Sequence, residues 1–175
     1  MNRKRTGLLV VGALAAVAVA AGGVYLSTTF STPTAQIAPQ VQFTTLQGEK
    51  LTTADLRGRV VLVNFWATSC VVCVKEMPDI VATYNRFKDH GFETIAVAMS
   101  YDPPNYVLHY AQTNALPFKV VLDTMGDVAR EFGPVRLTPT TLIIDKRGHI
   151  VARYLGEPNF AEVEKLVAAK LAEKV

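Results

Sequence analysis

Residues 59–73 read RVVLVNFWATSCVVC. The first seven of these residues form a near-continuous run rich in β-branched side chains, which is typical of a strand buried on both faces of a sheet. A helix is predicted from about residue 70 to residue 89, because apolar positions recur at helical spacing from Ile80 onwards. Both cysteines of the chain, Cys70 and Cys73, therefore lie where a buried strand gives way to a helix.

The position of this Cys-x-x-Cys unit favours redox chemistry. Amide N–H groups at a helix N-terminus and the helix dipole stabilise a thiolate, so Cys70 is predicted to be the more acidic and more exposed thiol. Cys73 follows three residues later on the same helical face, where it can attack a mixed disulfide formed at Cys70. We therefore predict that Cys70 is the nucleophile and that Cys73 is the resolving thiol.

Three other interpretations of the cysteine pair stay open from the residues alone. A zinc site normally has about four ligands, and the sequence contains neither a second cysteine pair nor a histidine pair. A structural disulfide that closes so short a loop would add little stability, because loop entropy scales with loop length. Two unconnected buried thiols are disfavoured if the domain is exported to an oxidising compartment.

The rest of the folded part alternates strands with helices and then forms a hairpin. One short hairpin is predicted around Gln47-Gly48, and a second, with strands over 140–145 and 149–154, around residues 146–148. The other predicted elements are strands over 93–100 and 119–122 and helices over 103–114, 127–132 and 160–174. This order predicts an α/β fold with a mixed sheet and helices on both of its faces.

Residues 63–73, VNFWATSCVVC, and residues 75–78, KEMP, resemble the active-site segment of the thioredoxin superfamily. The similarity is specifically to membrane-anchored, extracytoplasmic TlpA/ResA-type thioredoxins, and it covers roughly residues 40–173. The resemblance implies a thioredoxin-like fold with a central mixed β-sheet flanked by helices, an N-terminal β-hairpin and an extra βα insertion at about residues 101–125. It also implies a redox-active disulfide between Cys70 and Cys73.

The resemblance extends to residues around the cysteine pair. Trp66 matches the tryptophan of the family's Phe-Trp-Ala segment, and Thr138-Pro139 resembles the cis-proline loop that lies against the cysteines. We expect Trp66, Thr138 and Pro139 to support the site or to bind substrate. The backbone of Thr138 would be available for β-like pairing with a substrate chain.

Glu76 is the third catalytic candidate. Asn64 stands where thioredoxin has a buried aspartate that assists proton transfer at the inner cysteine, and in ResA-type proteins a glutamate three residues after the second cysteine serves instead. Glu76 occupies that position, and its i, i+3 spacing from Cys73 allows the two side chains to approach each other on one helix. The alternative is a solvated acid that only interacts favourably with the helix dipole.

The formal net charge of +3 belongs to the N-terminus. Arg3, Lys4 and Arg5 precede every acidic residue, and the other fifteen basic residues balance the fifteen acidic ones, which argues against a nucleic-acid partner. Residues 7–26 are twenty uncharged residues, enough for a helix to span a bilayer, and the flanking charges predict a cytoplasmic N-terminus. The alternative is a cleavable signal peptide with the processing pattern of residues 18–20.

The predicted organisation has three parts. Residues 1–26 form the cytoplasmic basic segment and membrane anchor, residues 27–40 a flexible linker, and residues 41–175 the thioredoxin-like domain. The linker prediction depends on two prolines, no charge and many Ser, Thr and Gln residues. We expect a single-pass protein of the bacterial inner (cytoplasmic) membrane, with the domain on the extracytoplasmic or periplasmic side.

The first functional hypothesis is an exported thiol–disulfide oxidoreductase that acts as a reductant and requires no cofactor and no metal. The partners implied by the resemblance are protein disulfide clients, such as apocytochrome c or a copper-site assembly protein, and a membrane thiol–disulfide electron donor. A disulfide-donating oxidant is the first alternative. The second is a Cu(I)-binding metallochaperone with Cys70, Cys73 and Met77 as ligands, since soft sulfur ligands suit Cu(I).

Overall fold

The computed structural model describes residues 36–133 and 135–174. Within these residues the chain forms eight strands and four α-helices around a six-stranded sheet. The strands are β1 (Gln36–Ile37), β2 (Gln42–Thr44), β3 (Lys50–Thr52), β4 (Val60–Trp66), β5 (Phe92–Ala98), β6 (Lys119–Leu122), β7 (Thr140–Ile144) and β8 (His149–Leu155). The helices are α1 (Val71–Phe87), α2 (Pro104–Thr113), α3 (Asp127–Glu131) and α4 (Phe160–Ala172).

Strand β4 lies inside the sheet, whose order is β1-β8-β7-β4-β5-β6. Strands β4, β5 and β6 are parallel to one another, whereas β7 pairs antiparallel with both β4 and β8, and β8 pairs antiparallel with β1. All seven residues of β4 are buried, as expected for a strand covered on both faces. The predicted mixed sheet is confirmed, and the apolar run before the cysteines is its buried strand.

The side chains of β4 alternate between two hydrophobic cores. Val60, Leu62 and Trp66 belong to the first core, which also contains residues of α1, α2 and α4. Val61 and Val63 belong to the second core, to which the β2–β3 hairpin and α3 contribute. This alternation follows from the pleat of the strand, since successive side chains point to opposite faces. The prediction of helices on both faces is confirmed.

Helix α1 begins directly after Cys70 and ends at Phe87. A single 3-10 turn, Lys88–His90, continues it, and Gly91 then takes a φ of 90°, a left-handed conformation that glycine adopts without steric cost. The predicted helix over residues 70–89 is therefore confirmed to within its last turn. The strand–turn–helix connection between β4 and α1 is the element that presents the cysteines.

The predicted N-terminal hairpin and the predicted insertion are both present. Strands β2 and β3 pair antiparallel as a separate two-stranded sheet around Gln47-Gly48. Helix α2 and strand β6 fill the segment at residues 101–125, and β6 extends the main sheet by pairing parallel with β5. The insertion begins beside the loop that follows β4, where Asp102 is hydrogen-bonded to Thr68.

The linker prediction is wrong at its C-terminal end. Residues 27–40 are predicted as flexible, yet Gln36–Ile37 form β1 and pair antiparallel with β8. Ala38 is buried, and its backbone N–H donates to the carbonyl oxygen of Gly148 across 2.9 Å. Backbone pairing at the sheet edge thus orders a segment whose uncharged, polar composition resembles a linker, and the folded domain includes residues 36–40.

The predicted membrane segment over residues 7–26 and the first part of the predicted linker lie outside the described residues. Among residues 36–133 and 135–174, no helix combines the length and the apolar character needed to cross a bilayer.

Candidate active site

Cys70 is the N-cap residue of α1, and its Sγ accepts a hydrogen bond from the backbone N–H of Cys73 across 3.2 Å. The two cysteines form a disulfide. Cys70 is half-buried, whereas Cys73 is completely buried. An external thiol can therefore reach the sulfur of Cys70 first, as the predicted roles of nucleophile and resolving thiol require.

The surface around Cys70 is apolar and carries no acidic side chain in the first turn of α1. Val71 is 82% exposed and Val72 is 41% exposed, so both side chains face solvent beside the disulfide. The free N–H groups of this first turn and the helix dipole favour a thiolate at Cys70. The two exposed valines therefore form an apolar surface next to Cys70.

Glu76 is buried beneath the cysteines, with no exposed surface. Its Oε1 accepts a hydrogen bond from Nδ2 of Asn64 on β4, at 2.9 Å. The same amide nitrogen donates to Oγ1 of Thr141 at 3.0 Å, and Thr141 is the residue directly opposite Asn64 on β7. Glu76 is therefore held against the sheet and is not the solvated helix acid of the alternative interpretation.

Burial raises the pKa of Glu76 from 4.5 to about 7. The hydrogen bond from Asn64 lowers this pKa, while the negative charges of Glu157 and Asp79 raise it. Within the described residues, Oε2 of Glu76 is buried without any hydrogen-bond partner, so one hydrogen bond alone compensates the desolvation of the carboxylate. The carboxyl group consequently exchanges its proton near neutral pH.

The Thr138–Pro139 peptide bond is cis, as the family resemblance predicts. A hydrogen bond of 3.1 Å joins the hydroxyl groups of Thr138 and Tyr101. The carbonyl oxygen of Pro139 accepts a hydrogen bond from the backbone N–H of Gly156 across 2.9 Å. The loop at Pro139 is thus tied to the connection before α2 on one side and to the end of β8 on the other.

Trp66 is completely buried at the end of β4, which restricts the role expected for it. Its ring packs against the ring of Tyr110 on α2, with the centroids 5.2 Å apart. Because the Trp66 side chain has no exposed surface, its place in the core fits the supporting role among the two roles expected for it. Met77, the third sulfur ligand of the copper hypothesis, is also buried, in the same core.

The sequence reasoning missed Asp102, a buried carboxylate between β5 and α2. Its Oδ2 accepts the backbone N–H of Thr68 and its Oδ1 accepts the Thr68 hydroxyl, both at 2.6 Å. A signal for this contact was present in the sequence, because residues that follow neighbouring parallel strands meet at one edge of the sheet. Thr68 follows β4, and Asp102 follows β5.

Two other neighbours of the site were also missed. Lys75 on α1 makes an ion pair of 2.8 Å with Glu157, in the loop between β8 and α4. Thr141 accepts a second hydrogen bond from Nδ2 of Asn64. No local pattern identifies either residue, since each contact joins segments that are far apart in the chain.

The arrangement has the parts of a dithiol–disulfide exchange site. It combines an accessible sulfur at a helix N-terminus, a second sulfur buried behind it, and a buried carboxyl group one helical turn further on that titrates near neutrality. Within residues 36–133 and 135–174, no three His, Cys, Asp or Glu side chains are grouped in a way that could hold a metal ion.

Known proteins with similar sequences and structures agree with this chemistry. A model of the Redoxin family matches residues 33–169. The chain is 30% identical over 171 residues to the thiol–disulfide oxidoreductase ResA of Halalkalibacterium halodurans, covering 95% of this chain and 96% of the relative. It is 33% identical over 128 residues to the ResA of Bacillus thuringiensis subsp. konkukian, covering 73% of each protein. The solution structure of a thiol:disulfide interchange protein from a Bacteroides species matches with a TM-score of 0.66 and 31% identity, over 79% of this chain and 93% of that one.

Fold and site together define a thioredoxin-like thiol–disulfide oxidoreductase. The chain belongs to the Redoxin family and is a TlpA/ResA-like member of the thioredoxin superfamily.

Proposed function

We propose that this oxidoreductase reduces disulfides in client proteins, with Cys70 and Cys73 as its dithiol. The observation that carries the proposal is the buried carboxyl group of Glu76, one helical turn after Cys73, with a pKa of about 7. A buried thiol is a poor nucleophile because burial disfavours its thiolate. A base of matched pKa at i, i+3 can take the proton of Cys73 when the mixed disulfide has to be resolved.

The reaction proceeds in two exchanges. The thiolate of Cys70 attacks one sulfur of the client disulfide, a Cys70–client disulfide forms, and the other client sulfur leaves as a thiolate. Cys73 gives its proton to Glu76 and attacks the sulfur of Cys70, which releases the second client sulfur as a thiolate. Two electrons pass to the client, and the Cys70–Cys73 disulfide remains. A dithiol donor then reverses these steps on the oxidoreductase.

The client would lie across the cis-proline loop and the exposed valines of α1. The half-buried Thr138 would offer its backbone for pairing with an extended client segment, and the cis bond to Pro139 would set the orientation of that backbone. Val71 and Val72 would contact apolar side chains of the client. In this role Thr138 and Pro139 bind the substrate, while Trp66 only supports them from the core.

We further propose that residues 7–26 anchor the chain in the bacterial cytoplasmic membrane, with the catalytic domain on the extracytoplasmic side. The uncharged run and the preceding basic residues support this orientation. The similarity to the ResA of Halalkalibacterium halodurans covers 95% of the chain and so extends into this segment. The electron donor would be a membrane thiol–disulfide protein, and the clients would be apocytochrome c or a copper-site assembly protein.

The equilibrium of the Cys70–Cys73 pair with glutathione or dithiothreitol, read by thiol alkylation, tests the reductant role. We expect a reduction potential at or below about −250 mV, whereas a value near −120 mV would identify a disulfide-donating oxidant. Cu(I) binding in a one-to-one complex that survives competition by a chelator would instead favour the metallochaperone.

Client identity is tested by trapping. In the Cys73→Ser variant the mixed disulfide at Cys70 cannot be resolved, so clients should accumulate as covalent adducts that mass spectrometry identifies. The matched control is Cys70→Ser, which keeps one cysteine but lacks the accessible sulfur. Equal adduct yields from the two variants would contradict the assigned order of attack.

A further inference from the structure

Asp102 is a buried carboxylate beside the active-site loop, and the exchange reaction described above makes no use of it. It is 4% exposed, and both of its oxygens accept hydrogen bonds from Thr68 at 2.6 Å. Within the described part of the chain it forms no ion pair with Lys, Arg or His. Both oxygens accept hydrogen bonds, as the oxygens of an ionised carboxylate do. In the described part of the chain, the groups that stabilise this charge are the backbone N–H and the hydroxyl of Thr68.

The charge of Asp102 lies close to Cys70. A single residue, Ser69, separates Thr68 from Cys70, so their Cα atoms are about 7 Å apart at most. The turn between them is closed by a hydrogen bond of 3.1 Å from the backbone N–H of Cys70 to the carbonyl oxygen of Ala67. An anion that is buried near a thiol disfavours the thiolate, in opposition to the helix N-terminus that favours it.

The other charged groups around the cysteine pair do not cancel this effect. Lys75 on α1 is paired with Glu157 from the loop before α4. Glu76 is buried behind the cysteine pair and is itself an acid, so it adds no positive charge. His109 on α2 lines an open groove, and Thr68 lines the same groove. Asp102 is therefore the carboxylate that is bonded directly to the loop carrying Cys70.

Less thiolate means a less stable dithiol form, and a couple whose reduced form is less stable is the stronger reductant. We propose that Asp102 is a positioning residue that holds the Cys70 loop through Thr68 and, by its charge, keeps the Cys70–Cys73 couple reducing. This inference rests on the proposed role as a reductant. The neighbouring Tyr101 is hydrogen-bonded to Thr138, so the Tyr101-Asp102 dipeptide contacts both the loop after β4 and the cis-proline loop.

The test is Asp102→Asn, which removes the charge but keeps the shape. The Asn amide can still accept the Thr68 N–H and donate to the Thr68 hydroxyl oxygen. We expect the equilibrium with glutathione to shift about tenfold towards the dithiol, equivalent to about 30 mV. The pH dependence of Cys70 alkylation in a Cys73→Ser background should show a lower thiol pKa for Asp102→Asn.

Two matched controls separate charge from geometry. Thr68→Val removes the hydroxyl bond but leaves the charge of Asp102, and Glu131→Gln removes an exposed carboxylate of α3 on the other face of the sheet. Both should stay within about twofold of the wild-type equilibrium, since neither alters the charge beside Cys70. If Asp102→Asn does not fold, Asp102→Ser is neutral, smaller and still polar, and the same shift is expected.

An Asp102→Asn equilibrium within twofold of wild type, a shift towards the disulfide, or an equal shift in Thr68→Val would each overturn the proposal. The proposed reductant role fails separately, if the wild-type potential itself lies near −120 mV. In that case a shift in Asp102→Asn would still establish the effect of Asp102 on the couple.

Discussion

Asn64 donates its side-chain N–H to Oε1 of Glu76 across 2.9 Å, and both side chains are completely buried. The bond joins the central strand β4 to helix α1 directly behind the cysteine pair. Because the same Asn64 nitrogen also binds Thr141 on β7, the position of the Glu76 carboxyl group is set by the sheet as well as by its own helix. The proton acceptor of the proposed reaction is therefore held in place before any client binds.

Replacing Glu76 by Gln should slow thiol–disulfide exchange at neutral pH by about tenfold to a hundredfold, because general base assistance contributes factors of about this size or larger. In the wild type the rate should rise as the pH passes through about 7, where Glu76 loses its proton. Stopped-flow kinetics with a peptide disulfide measures the profile. Glu131→Gln serves as the control, and an unchanged profile in Glu76→Gln would remove Glu76 from the mechanism.

The raised pKa of Glu76 also predicts a pH-dependent stability. The folded protein binds this proton more tightly than the unfolded chain, since the pKa rises from 4.5 to about 7 on folding. The free energy of unfolding should therefore fall as pH increases through this window, by about 3 kcal/mol in total above pH 7. Urea denaturation of the wild type and of Glu76→Gln at several pH values checks this, and the difference between the two should vanish if Glu76 ionises normally.

Glu157→Gln should move the kinetic inflection of Glu76 to lower pH. The negative charge of Glu157 raises the pKa of Glu76, so its removal makes the buried carboxyl group easier to ionise. The same exchange assay measures the shift. Lys75→Gln, which removes the other half of the ion pair but leaves the charge of Glu157, should not move the inflection downwards.

Trp66→Ala should destabilise the domain by about 3–5 kcal/mol, because it leaves a large cavity under the active site. The ring is completely buried and packs on Tyr110. Chemical denaturation followed by circular dichroism gives the free energy of unfolding. Tyr106→Ala, a change at a side chain that is 60% exposed on the same helix as Tyr110, should cost far less.

Much of the fold could be predicted from the sequence. The run RVVLVNF identified β4, helical periodicity identified α1 and α4, and turn residues identified both hairpins. These signals are local, since each depends on side chains a few residues apart. The segment at Gln36–Ile37 could not be assigned in this way, because its strand exists only through pairing with β8 at the sheet edge.

The residues of the active site also fall into two groups, those that the sequence identifies and those that only the packing brings to the site. Cys70 and Cys73 were evident from spacing alone, whereas Glu76 came from the resemblance to ResA-type proteins, with its i, i+3 spacing from Cys73 as support. The burial of Glu76 and its bond to Asn64 needed the packing of α1 on the sheet. The contact of Asp102 with Thr68 could have been anticipated from the adjacent ends of β4 and β5, but the ion pair of Lys75 could not.

The sequence by itself determined the chemistry of this protein, a pair of thiols at the start of a helix, because thiol reactivity and helix capping depend on neighbouring residues. Only the tertiary structure decided which acidic groups surround that pair. Glu76 titrates near neutrality because the sheet buries it, and Asp102 reaches Thr68 because two parallel strands end side by side. Burial and long-range contact arise from the packing of distant segments, and no local pattern of residues contains them.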